Sequence, residues 1–153
     1  KVPPDSWMQT ILAERAGGIP VWKGANLGSG WATVSVEQIA AWNPDVVCII
    51  NYRANSSEAA EAFKKDKRLS SLKAVREGKV YGFPQDFYSW DQPDTRWILG
   101  LTWLAKMLHP ALFTDISVIG TTEDFFNFMY GFDEAAFHTN IAPKIQGDVG
   151  EQF

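Results

Sequence analysis

Two short stretches gather side chains suited to holding a ligand. Asn51-Tyr52-Arg53 closes one apolar run. Asp86-Phe87-Tyr88-Ser89-Trp90-Asp91 closes another, with Arg96 close behind. Tyr52, Tyr88 and Trp90 offer rings for stacking, and Arg53 and Arg96 offer guanidinium groups that pair with ligand oxygens. That combination suits stacking on a flat ligand and pairing with its oxygens. Each residue also has a plainer reading. Tyr88 and Trp90 could pack against another part of the protein, Arg53 could be an ordinary surface arginine, and Arg96 could bond loop carbonyls. Trp7, Trp42, Trp97 and Trp103 read as packing residues, whereas Trp31 is open to either role.

Catalytic chemistry finds little support. His109 precedes Pro110 at a helix end, where a cation suits the dipole. His138 stands alone on a polar helix. Neither has a serine or cysteine partner in a known arrangement, and there is no H-E-x-x-H, C-x-x-C or P-loop. Asp91 and Asp94 lack metal-ligand spacing. No catalytic residue, cofactor or metal ligand is therefore expected. The single cysteine, Cys48, sits inside the apolar run Val46–Ile50 and reads as a small buried hydrophobe. It permits no disulfide within the chain and says nothing about compartment.

The chain has 153 residues, enough for one domain with a real core. With 46% hydrophobic and 21% charged residues it has globular proportions. A net charge of -4 and a pI near 5.1 argue against a nucleic-acid partner, which needs a basic patch. The nearest basic group, Lys64, Lys65, Lys67 and Arg68, is broken by Asp66 and reads as a solvated helix end. No apolar stretch approaches the roughly 18 residues of a membrane span, and no secretion signal is evident. The start Lys1-Val2-Pro3-Pro4 reads as that of a fragment or a processed form. Phe, Trp and Tyr reach 14%, with seven Trp, so ring positions must separate core from site.

The elements that position these residues follow from pattern. Asp5 or Ser6 is placed to cap a helix bearing Met8, Ile11, Leu12 and Ala16, ended by Gly17-Gly18. Ile19–Trp22 reads as a short strand, and Lys23–Gly30 as a loop. Ser35 and Gln38 form a capping box for a helix that stops at Asn43-Pro44. The unbroken run Val46–Ile50 fits a parallel strand covered on both faces. Asn55 and Glu58 open a helix to about Lys65, and Leu69–Glu77 reads as another. Lys79–Pro84 is the second clear strand. A long helix is expected from Pro93, with Trp97, Leu101, Leu104, Ala105 and Leu108 buried. Thr121 or Thr122 starts a helix that buries Phe125, Phe128 and Met129, and a last helix spans Asp133 to about Asn140. The tail 146–153 looks loose. Helices alternating with strands mean an α/β fold, a three-layer sandwich with a small, mainly parallel sheet. Ligands of open α/β sheets lie beyond the carboxyl ends of the strands, which sends the Tyr52 and Trp90 loops to one edge.

Two segments bear a resemblance. Trp31-Ala-Thr-Val-Ser-Val-Glu-Gln-Ile-Ala-Ala-Trp-Asn-Pro-Asp-Val-Val47 resembles a stretch of the cluster III solute-binding proteins of ABC importers. So does Val75-Arg-Glu-Gly-Lys-Val-Tyr81, followed by Phe83-Pro84, Ser89-Trp90-Asp91 and Arg96-Trp97-Ile98-Leu99-Gly100. Gly17-Gly18 fits as well, and the match runs through almost the whole chain.

The resemblance implies one lobe of a two-lobe protein whose α/β lobes are joined by a long helix, with ligand in the cleft between them. Residues 1–145 would form the C-terminal lobe, lacking its own first strand and its partner lobe. The implied function is capture of a metal chelate, first of all a ferric siderophore, with haem, cobalamin or molybdate and tungstate as alternatives, and delivery to a membrane permease. An extracytoplasmic location follows, periplasmic or membrane-anchored. Tyr52, Arg53, Tyr88, Trp90 and Arg96 would bind ligand. Family members dock through an acidic side chain at the top of each lobe, here Asp91, with Glu58 and Asp86 as further candidates. Asp91 has N-capping of the next helix as its plain alternative. Rival readings are a chelatase-like metal-handling enzyme, which would need converging carboxylates or histidines, and a pure protein-interaction domain.

Overall fold

A computed structural model describes residues 1–150. Its centre is a pair of parallel strands, β1 (Val47–Ile49) and β2 (Val80–Gly82), in the register Val47 to Val80, Cys48 to Tyr81 and Ile49 to Gly82. Seven helices surround it: α1 (Met8–Arg15), α2 (Val36–Trp42), α3 (Ser56–Lys65), α4 (Lys73–Arg76), α5 (Trp97–Leu108), α6 (Val118–Tyr130) and α7 (Glu134–Asn140). Because side chains alternate along a strand, the two faces serve two cores. Val47, Ile49 and Val80 meet Ala60, Phe63, Ala74 and Val75 of α3 and α4. Cys48, Ile50 and Tyr81 join the larger core built from α1, α5, α6 and α7, in which Trp103 and Phe137 are fully buried. The result is the expected three layers around a small parallel sheet.

Local signals account for several boundaries. The Ser35 hydroxyl accepts from Gln38 N–H, Asn55 caps α3 through Ser57 N–H, and Asp133 caps α7 through Ala136 N–H. Gly82 has no room for a side chain, since a Cβ there would lie 2.3 Å from the Ser57 nitrogen. The bare glycine lets the start of α3 settle onto β2, where Ser56 Oγ donates to the Phe83 carbonyl at 2.6 Å. Gly100 does the same for α5. A Cβ there would stand 2.3 Å from the Trp90 carbonyl oxygen. These two contacts set the loops that leave both strands.

Other expectations are corrected. Ile19–Trp22 is not a strand. Ile19 is 91% exposed, and turns follow it. α1 takes Trp7 as its N-cap without a side-chain bond, and Asp5 accepts from Gly24 N–H instead. Leu69–Glu77 divides into a single 3-10 turn, Lys67–Leu69, and the short α4. α5 starts at Trp97, not Pro93. It buries Leu99, Gly100, Trp103 and Leu104, and leaves Trp97 partly exposed. α6 starts at the Ser117 cap and buries Phe126, while Phe128 is 86% exposed. The tail is not loose through residue 150. Gln85 and Gln146 exchange backbone hydrogen bonds of 3.0 and 2.8 Å, Asp148 N–H donates to the Gly82 carbonyl, and Trp103 Nε1 donates to the Asp148 carbonyl. Residues 146–148 thereby line the free side of β2. The rest of the tail lies outside the described residues.

Candidate functional site

Beyond the carboxyl ends of β1 and β2 lies an open hollow of about 1260 Å³. The start of α1, Trp31, the loop after β1, the loop after β2 and Gln146 surround it. Three of the ligand-binding candidates face it: Tyr52, Arg53 and Tyr88, all exposed. The rest of the ring-bearing wall comes from Trp7, expected to pack, from Trp31, open to either role, and from Phe87. Trp7 meets Trp31 edge-on at 6.0 Å, and Trp31 meets Tyr52 at 6.4 Å. Phe87 adds another exposed ring. Trp31, in a glycine-bounded loop, carried a signal, but nothing in its sequence neighbourhood points to Tyr52.

Trp90 and Arg96 hold the loop from beneath. The Trp90 ring is fully buried, so its assignment as a stacking surface is corrected. Its indole N–H donates to Asp86 Oδ2 at 3.3 Å. Arg96 Nε donates to both Asp86 oxygens at 2.9 Å, and its guanidinium lies over the Tyr88 ring at 5.4 Å. It also faces the rings of Phe126 and Tyr130. Its side chain is only 12% exposed, so Arg96 is tied to the protein and is not a free anion clamp. Asp86 Oδ1 also accepts from Tyr88 N–H. The Asp86 side chain is itself buried, which withdraws it as a docking acid.

Asp91 is corrected too. It is fully buried, out of reach of a docking partner, and it caps no helix. Its Oδ2 accepts from Gln9 Nε2 at 2.6 Å and from the Tyr52 hydroxyl at 2.5 Å. Burial, and then the Asp91 carboxylate, push the Tyr52 phenol well above its ordinary range, so the hydroxyl stays a donor. Asp91 Oδ1 and Gln9 Oε1 are buried and have no hydrogen-bond donor among the described residues. Glu58 remains exposed on the first turn of α3.

Residues remote from the hollow behave differently. His109 Nε2 lies 3.1 Å from the Ala16 carbonyl at the end of α1, a structural contact. His138 is not alone. Its Nε2 is 3.7 Å from Glu123 across the α6–α7 contact, with Glu134 close by. Burial pushes the Cys48 thiol up to about 12, which keeps it protonated and inert, as its apolar setting suggests.

The model of the periplasmic binding protein family matches residues 3–87, more than half of the chain. The chain belongs to this family. Among curated proteins, this periplasmic binding protein is similar to the molybdate-binding protein MolA of Haemophilus influenzae, 26% identical over 121 residues. That match covers 78% of the chain and 33% of MolA. Among solved structures, an ABC transporter solute-binding protein from Sulfurospirillum deleyianum superposes with a TM-score of 0.72 at 26% identity, covering 90% of the chain and 42% of the other. A periplasmic solute-binding protein from Veillonella parvula gives 0.71 at 23% identity, with 92% and 43% covered. The chain thus spans between a third and a half of the length of these relatives.

Proposed function

We propose that the chain is the C-terminal lobe of a substrate-binding component of an ABC importer, and that it holds one wall of a cleft for a metal chelate. A ferric siderophore is the first candidate. The carrying observation is the ring-lined hollow at the carboxyl ends of the two parallel strands. Trp7, Trp31, Tyr52, Phe87 and Tyr88 present faces and edges to a volume above the ~300–1,000 Å³ of a drug-sized pocket. Arg53 is the exposed cation at its rim. Stacking and charge-assisted hydrogen bonds in a closing cleft would supply the affinity. Delivery to a permease and a periplasmic location, free or lipid-anchored, belong to the same reading, with Glu58 as the docking acid on this lobe.

A second reading is favoured by the MolA match, namely a molybdate or tungstate oxyanion. Haem and cobalamin share the ring-stacking logic of the first. A chelatase-like enzyme is less well supported, because Asp86 and Asp94, the carboxylates that line the hollow, are both paired with Arg96, and no histidine lines it among the described residues.

The test is titration of the full-length protein, both lobes present, with ferric siderophores, haem, cobalamin and molybdate while Trp fluorescence is followed. A quench by one of them supports the reading. Silence from all of them would refute it. Trp31→Ala then separates small-molecule binding from protein interaction, because only the former would show as a lost quench.

A further inference from the structure

We infer that Glu123, Glu134 and His138 form a binding site for one divalent transition-metal ion of the zinc type, which staples α6 to α7. None of the three lines the hollow, so the inference stands apart from the importer reading.

The donor set comes first. Glu134 and His138 are four positions apart on α7, which puts them on one face of the helix, and Glu123 approaches from α6. One ligand atom from each lies within 4.8 Å of the other two. His138 Nε2 and Glu123 Oε2 are 3.7 Å apart, too far for a hydrogen bond. Two ligands held tetrahedrally by one zinc ion, each at about 2.0–2.2 Å, stand about 3.4 Å from one another. The gap between the two side chains therefore has the span of a bridged pair.

Charge comes second. Among the described residues no lysine or arginine pairs with Glu123 or Glu134, and the imidazole is their common neighbour. Two carboxylates brought this close repel each other, and a metal ion between them relieves the repulsion. An imidazole with two carboxylates suits zinc and its transition-metal neighbours, whereas magnesium and calcium take oxygen ligands.

The scaffold comes third. Phe126, one turn from Glu123, packs on Phe137, the neighbour of His138, with ring centres 6.0 Å apart and both rings buried. This core contact fixes the two backbones, so only three side chains remain to be ordered by an ion. The ligands themselves face solvent. The His138 side chain is 49% exposed and that of Glu123 28%, which gives the ion a path in and lets water complete its coordination.

The experiment strips the full-length protein with a chelator, then follows zinc chloride by calorimetry and by melting temperature, with magnesium chloride as control. Zinc is expected to bind with micromolar affinity. At about ten times its dissociation constant it should raise the melting temperature by roughly 2–5 °C. His138→Ala and Glu123→Gln should each weaken zinc roughly tenfold or more, at least what loss of an outer-shell partner costs, and should remove the thermal gain. Both side chains reach solvent, so the metal-free variants should melt within about 1 °C of the parent. Zinc held elsewhere, in the hollow for example, would survive both substitutions, and that survival would overturn the inference. So would an absence of zinc heat, or an equal response to magnesium. A thermal gain retained in Glu123→Gln would overturn the link between the two helices.

Discussion

Gly100→Ala tests how the hollow is held in place. The added methyl would sit 2.3 Å from the Trp90 carbonyl oxygen, 3.0 Å from its carbonyl carbon and 3.2 Å from Phe83 Cζ. The first two are backbone, so no rotamer change relieves the clash, and α5 or the loop before it must move. Overpacking of this kind costs about 1–3 kcal/mol. A backbone obstacle at 2.3 Å places it at the upper end. The change also returns helix propensity, about 1 kcal/mol for alanine over glycine. The net expectation is a loss of roughly 1–2 kcal/mol, or about 2–8 °C in melting temperature for a chain of this size. The same shift displaces Trp90 and its neighbour Asp91, so affinity for whatever the hollow binds should fall with stability. Urea denaturation, read as a midpoint change at constant slope, measures the first effect, and titration at saturating folding conditions measures the second. A midpoint equal to or above that of the parent would refute the packing argument, since propensity alone would then decide the outcome.

Trp31→Ala should weaken ligand binding at least tenfold, with little change in melting temperature, because its edge contacts with Trp7 and Tyr52 lie at the rim of the hollow and not in the core; fluorescence titration and a thermal melt check the split. Tyr52→Phe removes a donor to a buried carboxylate that Gln9 alone then serves, so the variant should be less stable by about 1.5–3 kcal/mol by urea denaturation. Alkaline pH should destabilise the protein through Cys48. Its folded thiol titrates near 12 against 9.0 for an ordinary thiol, so the folded state holds a proton that the unfolded state releases. That stability is complete below pH 9.0 and is lost toward 12, on the order of 1 kcal/mol per pH unit. Denaturation midpoints from pH 8 to 11 should fall less steeply for Cys48→Ala.

The strands and the starts of α2, α3 and α7 were legible because their signals are local. Val46–Ile50 and Lys79–Pro84 are apolar runs, and Ser35, Asn55 and Asp133 cap within three residues of themselves. Helix phase was not legible where every side is apolar. Trp97 to Leu104 offers several apolar stripes, and distant contacts, the Trp90 carbonyl against Gly100 and the Phe83 ring against Trp103, accompany the one that is buried. Phe125, Phe126 and Phe128 pose the same ambiguity in α6, resolved by the packing of Phe126 against Phe137. The loops after the strands were found through the strand-end rule, which returned Tyr52, Arg53 and Tyr88. Gln9 could not be found so, because its bond to Asp91 spans 82 positions and that of Tyr52 spans 39.

Those two long bonds bear on why the loop after β2 alternates as it does. Asp86 turns to Arg96 and Trp90, while Asp91 turns to Tyr52 and Gln9. Between these buried carboxylates, Phe87 and Tyr88 are left at the surface. The carboxylates are therefore not ligands' partners at the rim but anchors below it. One ties the loop to α5, and the other ties it to α1 and to the loop after β1. An anchored ring loses less conformational freedom on binding than a free one, which favours affinity through preorganisation. Asp86 completes its hydrogen bonds within the chain, while Asp91 leaves one oxygen unmatched among the described residues. Asp86 fixes the wall against the start of α5, and Asp91 fixes it against α1 and the loop after β1.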